Sequence, residues 1–245
     1  MTSAALAIPP AQPAVKRVAI IQSNYIPWKG YFDIIGAVDL FILLDDAQFT
    51  RRDWRNRNRI KTPAGLQWLS IPVVSKGRYT EPIDAIAIAE PWAEAHWRSL
   101  EVNYRRAACF AAIEGELRAL YEEAAQQRLL SAINFGLLRG ICRLLGIATP
   151  IRRSREFAPE GAKTDRLLSI CRSAGATEYL SGPAARAYLE IDKFEAAGIA
   201  VRWMDYAGYP EYPQLFGPFE HGVSILDLLF NTGRDAPRYM KGFAW

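Results

Sequence analysis

Cysteine and histidine are scarce in these 245 residues, with three of the first and two of the second. Cys109, Cys142 and Cys171 are widely spaced, and no pair has metal-ligand or redox spacing. That pattern predicts reduced, buried thiols and a cytoplasmic location. His96 and His221 alone give little material for a histidine metal site or a Ser/His/Asp triad, so no metal is expected. No apolar run approaches the roughly 18–20 residues that span a bilayer, and no membrane partner is expected. Residues 1–16 lack a cationic n-region and are interrupted by Pro9-Pro10, so they read as a disordered tail rather than a signal peptide. Internal repeats are also missing.

General basicity is absent as well. The net charge is +4, but residues 51–61 alone hold Arg51, Arg52, Arg55, Arg57, Arg59 and Lys61 against Asp53. The rest of the chain is close to neutral. One confined cationic patch suits a nucleotide or phosphorylated sugar better than a long duplex, which argues against nucleic acid as the partner.

Half of the residues are apolar, enough for one α/β domain over 17–245 with a mainly helical segment at about 91–146. Val18-Ala19-Ile20-Ile21 reads as a buried strand and Asp39 to Leu44 as a second. Between them lies Gln22-Ser23-Asn24-Tyr25-Ile26-Pro27-Trp28-Lys29-Gly30-Tyr31, a polar, aromatic turn leading into a short helix that faces Tyr31, Ile34 and Ile35 inward. Ligands of open α/β sheets bind beyond the carboxyl ends of strands, which makes this turn a candidate site. Asp45 and Asp46 close the second strand, where they read either as turn or helix-capping residues or as two adjacent carboxylates that repel each other and face solvent, a cation or a bound group. The two readings are even for Asp45, and the second is favoured for Asp46.

In the basic segment Asn56 and Asn58 alternate with Arg55, Arg57 and Arg59, placing guanidiniums on one face of an extended chain. Arginine forks match phosphate and carboxylate geometry. Leu66 to Val73 alternates in strand fashion. Trp92, His96, Leu100 and Tyr104 share one helix face, so His96 reads as a packed core residue. Leu129 to Leu145 forms a further helix that Gly146 ends, and Asn134 on it can hydrogen-bond inward. Ala148 to Ile151 reads as a short strand, Lys163 to Arg172 as a helix, and Thr177 to Leu180 as a strand that stops in Ser181-Gly182-Pro183. Ile199 to Met204 is another strand, and Val223 to Phe230 a closing helix.

The stretch Gln22 to Phe32 resembles the opening signature of the WbqC-like family. The likeness continues through Asp45-Asp46, Trp54-Arg55-Asn56-Arg57-Asn58, Tyr179-Leu180-Ser181-Gly182-Pro183, Trp203-Met204-Asp205-Tyr206 and Val223 to Asn231. It covers nearly everything after the tail. The resemblance implies a place in bacterial surface-polysaccharide synthesis and the modification of nucleotide-linked sugars. A second resemblance is to nucleotidyltransferases of the HIGH class, which carry His-x-Gly-His after the first strand. Trp28-Lys29-Gly30-Tyr31 stands in that place after Pro27, and Ser181-Gly182-Pro183-Ala184-Ala185-Arg186 looks like their late Ser-rich element. This likeness implies a Rossmann-like, mostly parallel sheet with a helical insertion. Both histidines are replaced, and an indole and a phenol do not stabilise a phosphoryl transition state as imidazoles do.

A nucleotide site needs cations for phosphate and a stacking surface for a base. The candidates for the first are Lys29, Arg52, Arg55, Arg57, Lys61 and Lys163, with the backbone at Gly30 and Gly182. Tyr25, Trp28 and Trp54 are candidates for the second. Gln22, Asn24, Tyr31, Asn56, Ser181, Tyr206 and Tyr209 are further candidate binding residues. Acyl or aminoacyl transfer to a sugar amine needs a proton acceptor, for which Asp45, Asp46, Asp205 and His221 are available. The expected function is transfer of such a group to a nucleotide-linked amino sugar. The alternatives are an ATP-dependent amide ligase acting through an adenylate, with ATP as its cofactor, and a non-catalytic nucleotide-sugar-binding scaffold.

Overall fold

A computed structural model describes residues 16–78 and 80–242. The expected tail lies outside these residues except for Lys16, whose backbone N–H donates to Thr177 Oγ1 at 2.8 Å. Among the described residues a five-stranded parallel sheet runs β5 (Ile151–Arg153), β2 (Leu40–Leu43), β1 (Arg17–Ile21), β6 (Glu178–Ser181), β7 (Ala200–Trp203). The fold is therefore the Rossmann-like α/β arrangement expected from the sequence. β1 is central, and successive strands are added first on one side and then on the other. Such an order creates a switch point between β1 and β6, where the connections leave in opposite directions.

Strand residues alternate between the two faces, and each face buries its own cluster. Ala19, Phe41 and Leu43 pack with helices α1 (Lys29–Gly36), α2 (Ala93–Tyr104), α3 (Phe110–Ala125), α4 (Leu130–Leu145) and α7 (Ile225–Thr232). Val18, Ile20, Leu40 and Ile42 pack with α5 (Lys163–Ser173) and α6 (Ile191–Ala196) on the other face. Helices α2, α3 and α4 fill the helical segment expected at 91–146, and Trp92, His96, Leu100 and Tyr104 are all buried.

Several boundaries differ from the sequence reading: the strand expected over 66–73 ends at Ser70, and the closing helix runs Ile225–Thr232. The strand expected at 148–151 begins at Ile151. Pro150 has no N–H to give the ladder, and its carbonyl instead accepts from Phe41 N at 3.0 Å. The basic segment holds a strand of its own, β3 (Arg57–Thr62), paired antiparallel with β4 (Gly65–Ser70) as a separate hairpin. Its alternation is as expected. Asn58 and Ile60 are buried, while Arg57 and Arg59 share the other face and both lie over the Trp68 ring, at 4.1 and 5.8 Å.

Candidate functional site

The ladder between β1 and β6 is short. Arg17 pairs with Glu178 and Val18 with Tyr179, whereas β1 stays paired to β2 as far as Ile21 and Leu43. Beyond Val18 the two central strands part, and a cavity of about 760 Å³ opens between their carboxyl ends. Ile20, Ile21 and Gln22 line one wall, and Ser181 and Gly182 line the other. Three cations reach it from two elements: Arg55 from the basic segment, and Lys163 and Arg166 from the first turn of α5. A helix N-terminus favours anions in the same direction. Arg166 is aimed by Asp46, one of whose oxygens takes its Nη2 while the other accepts from Ser154 Oγ. Tyr188, 68% exposed, stands at the mouth with Glu190.

The turn after β1 is held from three sides. Asp45, buried at the end of β2, accepts from Ser23 N at 2.8 Å and from Ser131 Oγ on α4. Burial raises its pKa, and those hydrogen bonds oppose the rise. Asn134 on α4 donates to Ser23 Oγ at 3.0 Å and to the Arg55 carbonyl at 2.9 Å. Asn58 donates to the carbonyls of Tyr25 and Ile26 at 3.1 and 3.0 Å. Ile26 adopts a left-handed φ of 35°, a strained conformation for a β-branched residue that these bonds sustain. Arg55 reaches over the turn, donating to the Asn24 side chain and, at 3.4 Å, to the carbonyls of Gln22 and Ser23. Its Nε is buried without a partner.

A second hollow, about 340 Å³, lies on the far side of the Arg55–Asn24 contact. Asn24, Trp28, Trp54, Arg59, His221 and Gly222 are among its walls. The loop after β7 folds across the start of α1 to build it. Trp28 packs on Tyr206 at 5.2 Å and on Tyr209 at 5.6 Å, and Arg59 Nη2 donates to the Gly222 carbonyl at 2.9 Å. A Cβ on Gly30 would sit 2.3 Å from the Trp28 ring, so glycine there is what lets the indole lie over the helix start. Tyr206 is pushed up to about 12 by burial, then by Asp33. Its hydroxyl lies beside Gly182.

The sequence-derived candidates thus separate. Gln22, Arg55, Lys163, Ser181 and Gly182 meet in the cavity, while Asn24, Trp28, Trp54 and His221 meet in the hollow. Arg52, Asn56 and Arg57 line a third depression outside both. Tyr25 is wholly buried, its hydroxyl 2.8 Å from His96 Nδ1 and 2.9 Å from Tyr121, so its ring faces core. Tyr31 is buried too and donates to the Gln22 carbonyl at 2.9 Å. Lys29 is enclosed by Tyr209 and Tyr212 and donates to the Pro210 carbonyl at 3.0 Å. Burial lowers its pKa to about 8 against the pull of Asp33. Lys61 is buried on Gln214 and Pro218, and Tyr209 donates to Asp33. Asp205 is exposed in another depression, where Ala207 N–H and then Lys241 hold its carboxyl below the usual range. Both oxygens of Asp45 and of Asp46 are already engaged, so the named proton acceptors that face an open space are Asp205, in its separate depression, and His221, which stands in the hollow beside Trp28 and Trp54.

Arg166, Tyr188 and Glu190 are cavity residues that sequence reasoning did not single out. Arg166 had a usable signal. In a doubly wound sheet the first turn of a helix that follows a strand's carboxyl end borders the ligand crevice. Tyr188 and Glu190 sit in an irregular stretch with no pattern to read.

Comparison with known proteins agrees with the sequence resemblance. The model of the WbqC-like protein family matches residues 22–239. An uncharacterized protein of Mycobacterium tuberculosis is 52% identical over 228 residues, covering 93% of this chain and 98% of its own length. No solved structure matches the chain significantly.

Proposed function

The chain belongs to the WbqC-like protein family, and from that premise we propose a transferase that moves an acyl or aminoacyl group to the amine of a nucleotide-linked sugar in bacterial surface-glycan synthesis. The observation that carries this reading is the parting of β1 and β6 into a nucleotide-sized cavity with Arg55, Lys163 and Arg166 around it. Phosphate oxygens take those three cations and the α5 N-terminus, and Tyr188 offers its exposed ring to the base. The sugar extends past the Arg55–Asn24 contact into the hollow. There the Trp28 and Trp54 rings and the Asn24 amide are available to it. The sugar amine attacks the acyl carbon, the C–N bond forms and the bond to the donor's leaving group breaks. His221 accepts the amine proton. Asp45 and Asp46 act by position, the first fixing the turn and the second aiming Arg166.

Calorimetric titration with UDP- and dTDP-amino sugars tests the reading. Saturable binding is expected, weakened ~10-fold or more by Lys163→Ala or Arg166→Ala, since each removes a charge-assisted contact. His221→Ala is expected to leave that affinity in place and to slow acyl transfer ~100-fold or more. Nucleotide affinity indifferent to both cation variants would remove the cavity from the account, and transfer unaffected by His221→Ala would remove the base. A second reading, the ATP-dependent ligase, draws on the Ser181–Arg186 element opening onto the same cavity. Pyrophosphate release that requires ATP separates it from the transferase.

A further inference from the structure

The arginines of the basic segment do not converge on one site. Arg55 turns to the cavity and Arg59 to the hollow, while Arg57 and Arg52 turn to a third depression of about 300 Å³ beside the β3–β4 hairpin. Its walls share no residue with the cavity. Arg51, Arg52 and Arg57 line it together with Asn56, Ser70 and Ser75, and no carboxylate among the described residues does so. The neighbouring acid, Asp53, is taken by Arg55 at 3.3 Å.

This depression is built rather than incidental. The guanidinium of Arg57 lies over the Trp68 ring, its Cζ 4.1 Å from the ring centroid, and one Nη donates to the Arg52 carbonyl. Its Nε is buried with no partner among the described residues, a donor whose desolvation none of them offsets. Arg52 is held at a φ of 59°, a conformation that costs a non-glycine residue energy and recurs at ligand sites. The floor is rigid, because Asn56 Nδ2 donates to the Ile71 carbonyl and Ile71 N to the Asn56 carbonyl, each at 2.7 Å. A preorganised arginine fork in a pocket free of carboxylates is a receptor for an oxyanion.

We propose that this depression is a second oxyanion subsite, independent of the nucleotide cavity, which takes the carboxylate or phosphate of a charged saccharide. It rests on the transferase reading only for the identity of that saccharide as the second substrate. Anion capture itself stands on the depression alone. The shared chemistry is one oxyanion on a polyhydroxylated ring, and two probes separate its sources: glucuronate for a carboxylate, glucose 1-phosphate for a phosphate.

The experiment is a tryptophan-fluorescence and calorimetric titration of the full chain with these two probes, with glucose as the neutral control. Trp68 lies under the binding arginine, so its emission reports occupancy. Saturable binding of at least one charged probe is expected, ~10-fold or more tighter than glucose. Arg57→Ala and, separately, Arg52→Ala should each weaken it ~10-fold or more while UDP affinity changes less than about twofold. Arg52 is exposed and its side chain makes no hydrogen bond to another described residue, so its variant is protected against failure to fold. Equal binding of glucose and the charged probes, or affinity for them indifferent to both substitutions, overturns the subsite. Loss of UDP binding by Lys163→Ala with glucuronate binding retained shows the two sites to be separate. A charged probe whose affinity falls with Lys163→Ala instead of with Arg57→Ala places the anion in the cavity and overturns the proposal.

Discussion

Single residues in this protein divide by whether their polar atoms are already spent. His96 is the clearest spent case. Its Nε2 donates to the Ser70 carbonyl at 3.2 Å, its Nδ1 accepts from Tyr25, and burial lowers its pKa to about 4. The sign of the resulting pH dependence follows directly. Above pH 6.5 folded and unfolded chains are both neutral at this position. As pH falls from 6.5 towards 4 the unfolded chain gains a proton that the folded one refuses, and stability drops by up to about 3 kcal/mol. The urea midpoint should fall more steeply over that window in the native chain than in His96→Gln; equal slopes would refute the assignment. Asp45 is spent in the same sense. From sequence alone it was equally a turn residue and a base, because nothing in Leu44-Asp45-Asp46 reveals that Ser131, 86 positions away, closes its second oxygen.

Elements were read more securely than partners. Short apolar runs mark β1 and β2, because strands of a central sheet are buried on both faces, and the 3.6-residue period marks α2 to α4, because those helices bury one face. The hairpin was legible as alternating arginines and amides, yet the division of those arginines among three spaces was not. Which way Arg55 leaves the chain is settled by the turn at Asn24, which is distant in sequence. The Trp28–Tyr31 turn shows the same limit. The sequence placed it at the nucleotide, whereas in the structure Trp28 faces the hollow and Lys29 an aromatic enclosure. Gly30 ties that turn to the hollow's shape. Gly30→Ala is expected to drive the Trp28 ring off Tyr206, seen as a change in near-ultraviolet circular dichroism. UDP affinity, which depends on the cavity, should hold while transfer falls ~10-fold or more. Unchanged transfer would detach Trp28 from the acceptor.

For the molecule as a whole, the strand order positions the cavity and distant segments complete it. Both the switch point and the loop across α1 depend on residues beyond 178 meeting the first strand. Asp33 is the point where they are fastened. Buried in α1, it accepts from Tyr209 of that loop, from Lys241 N at 3.0 Å and from Gly242 N at 2.7 Å. A chain ending at Met240 loses the last two and should be destabilised by about 2–4 kcal/mol, measured by its urea midpoint. An unchanged midpoint would show Tyr209 to be sufficient. The same fastening has a consequence in time. Asp33 and Gly242 are 209 positions apart, which at ordinary rates of synthesis is a delay of roughly 10–40 s. Throughout that interval the nascent helix carries a carboxylate whose set of partners is incomplete, Tyr209 being made before Lys241 and Gly242. The cavity, whose walls run to Glu190, and the hollow, whose walls run to Gly222, are likewise completed late, whereas the depression beside the hairpin needs nothing beyond Ser75.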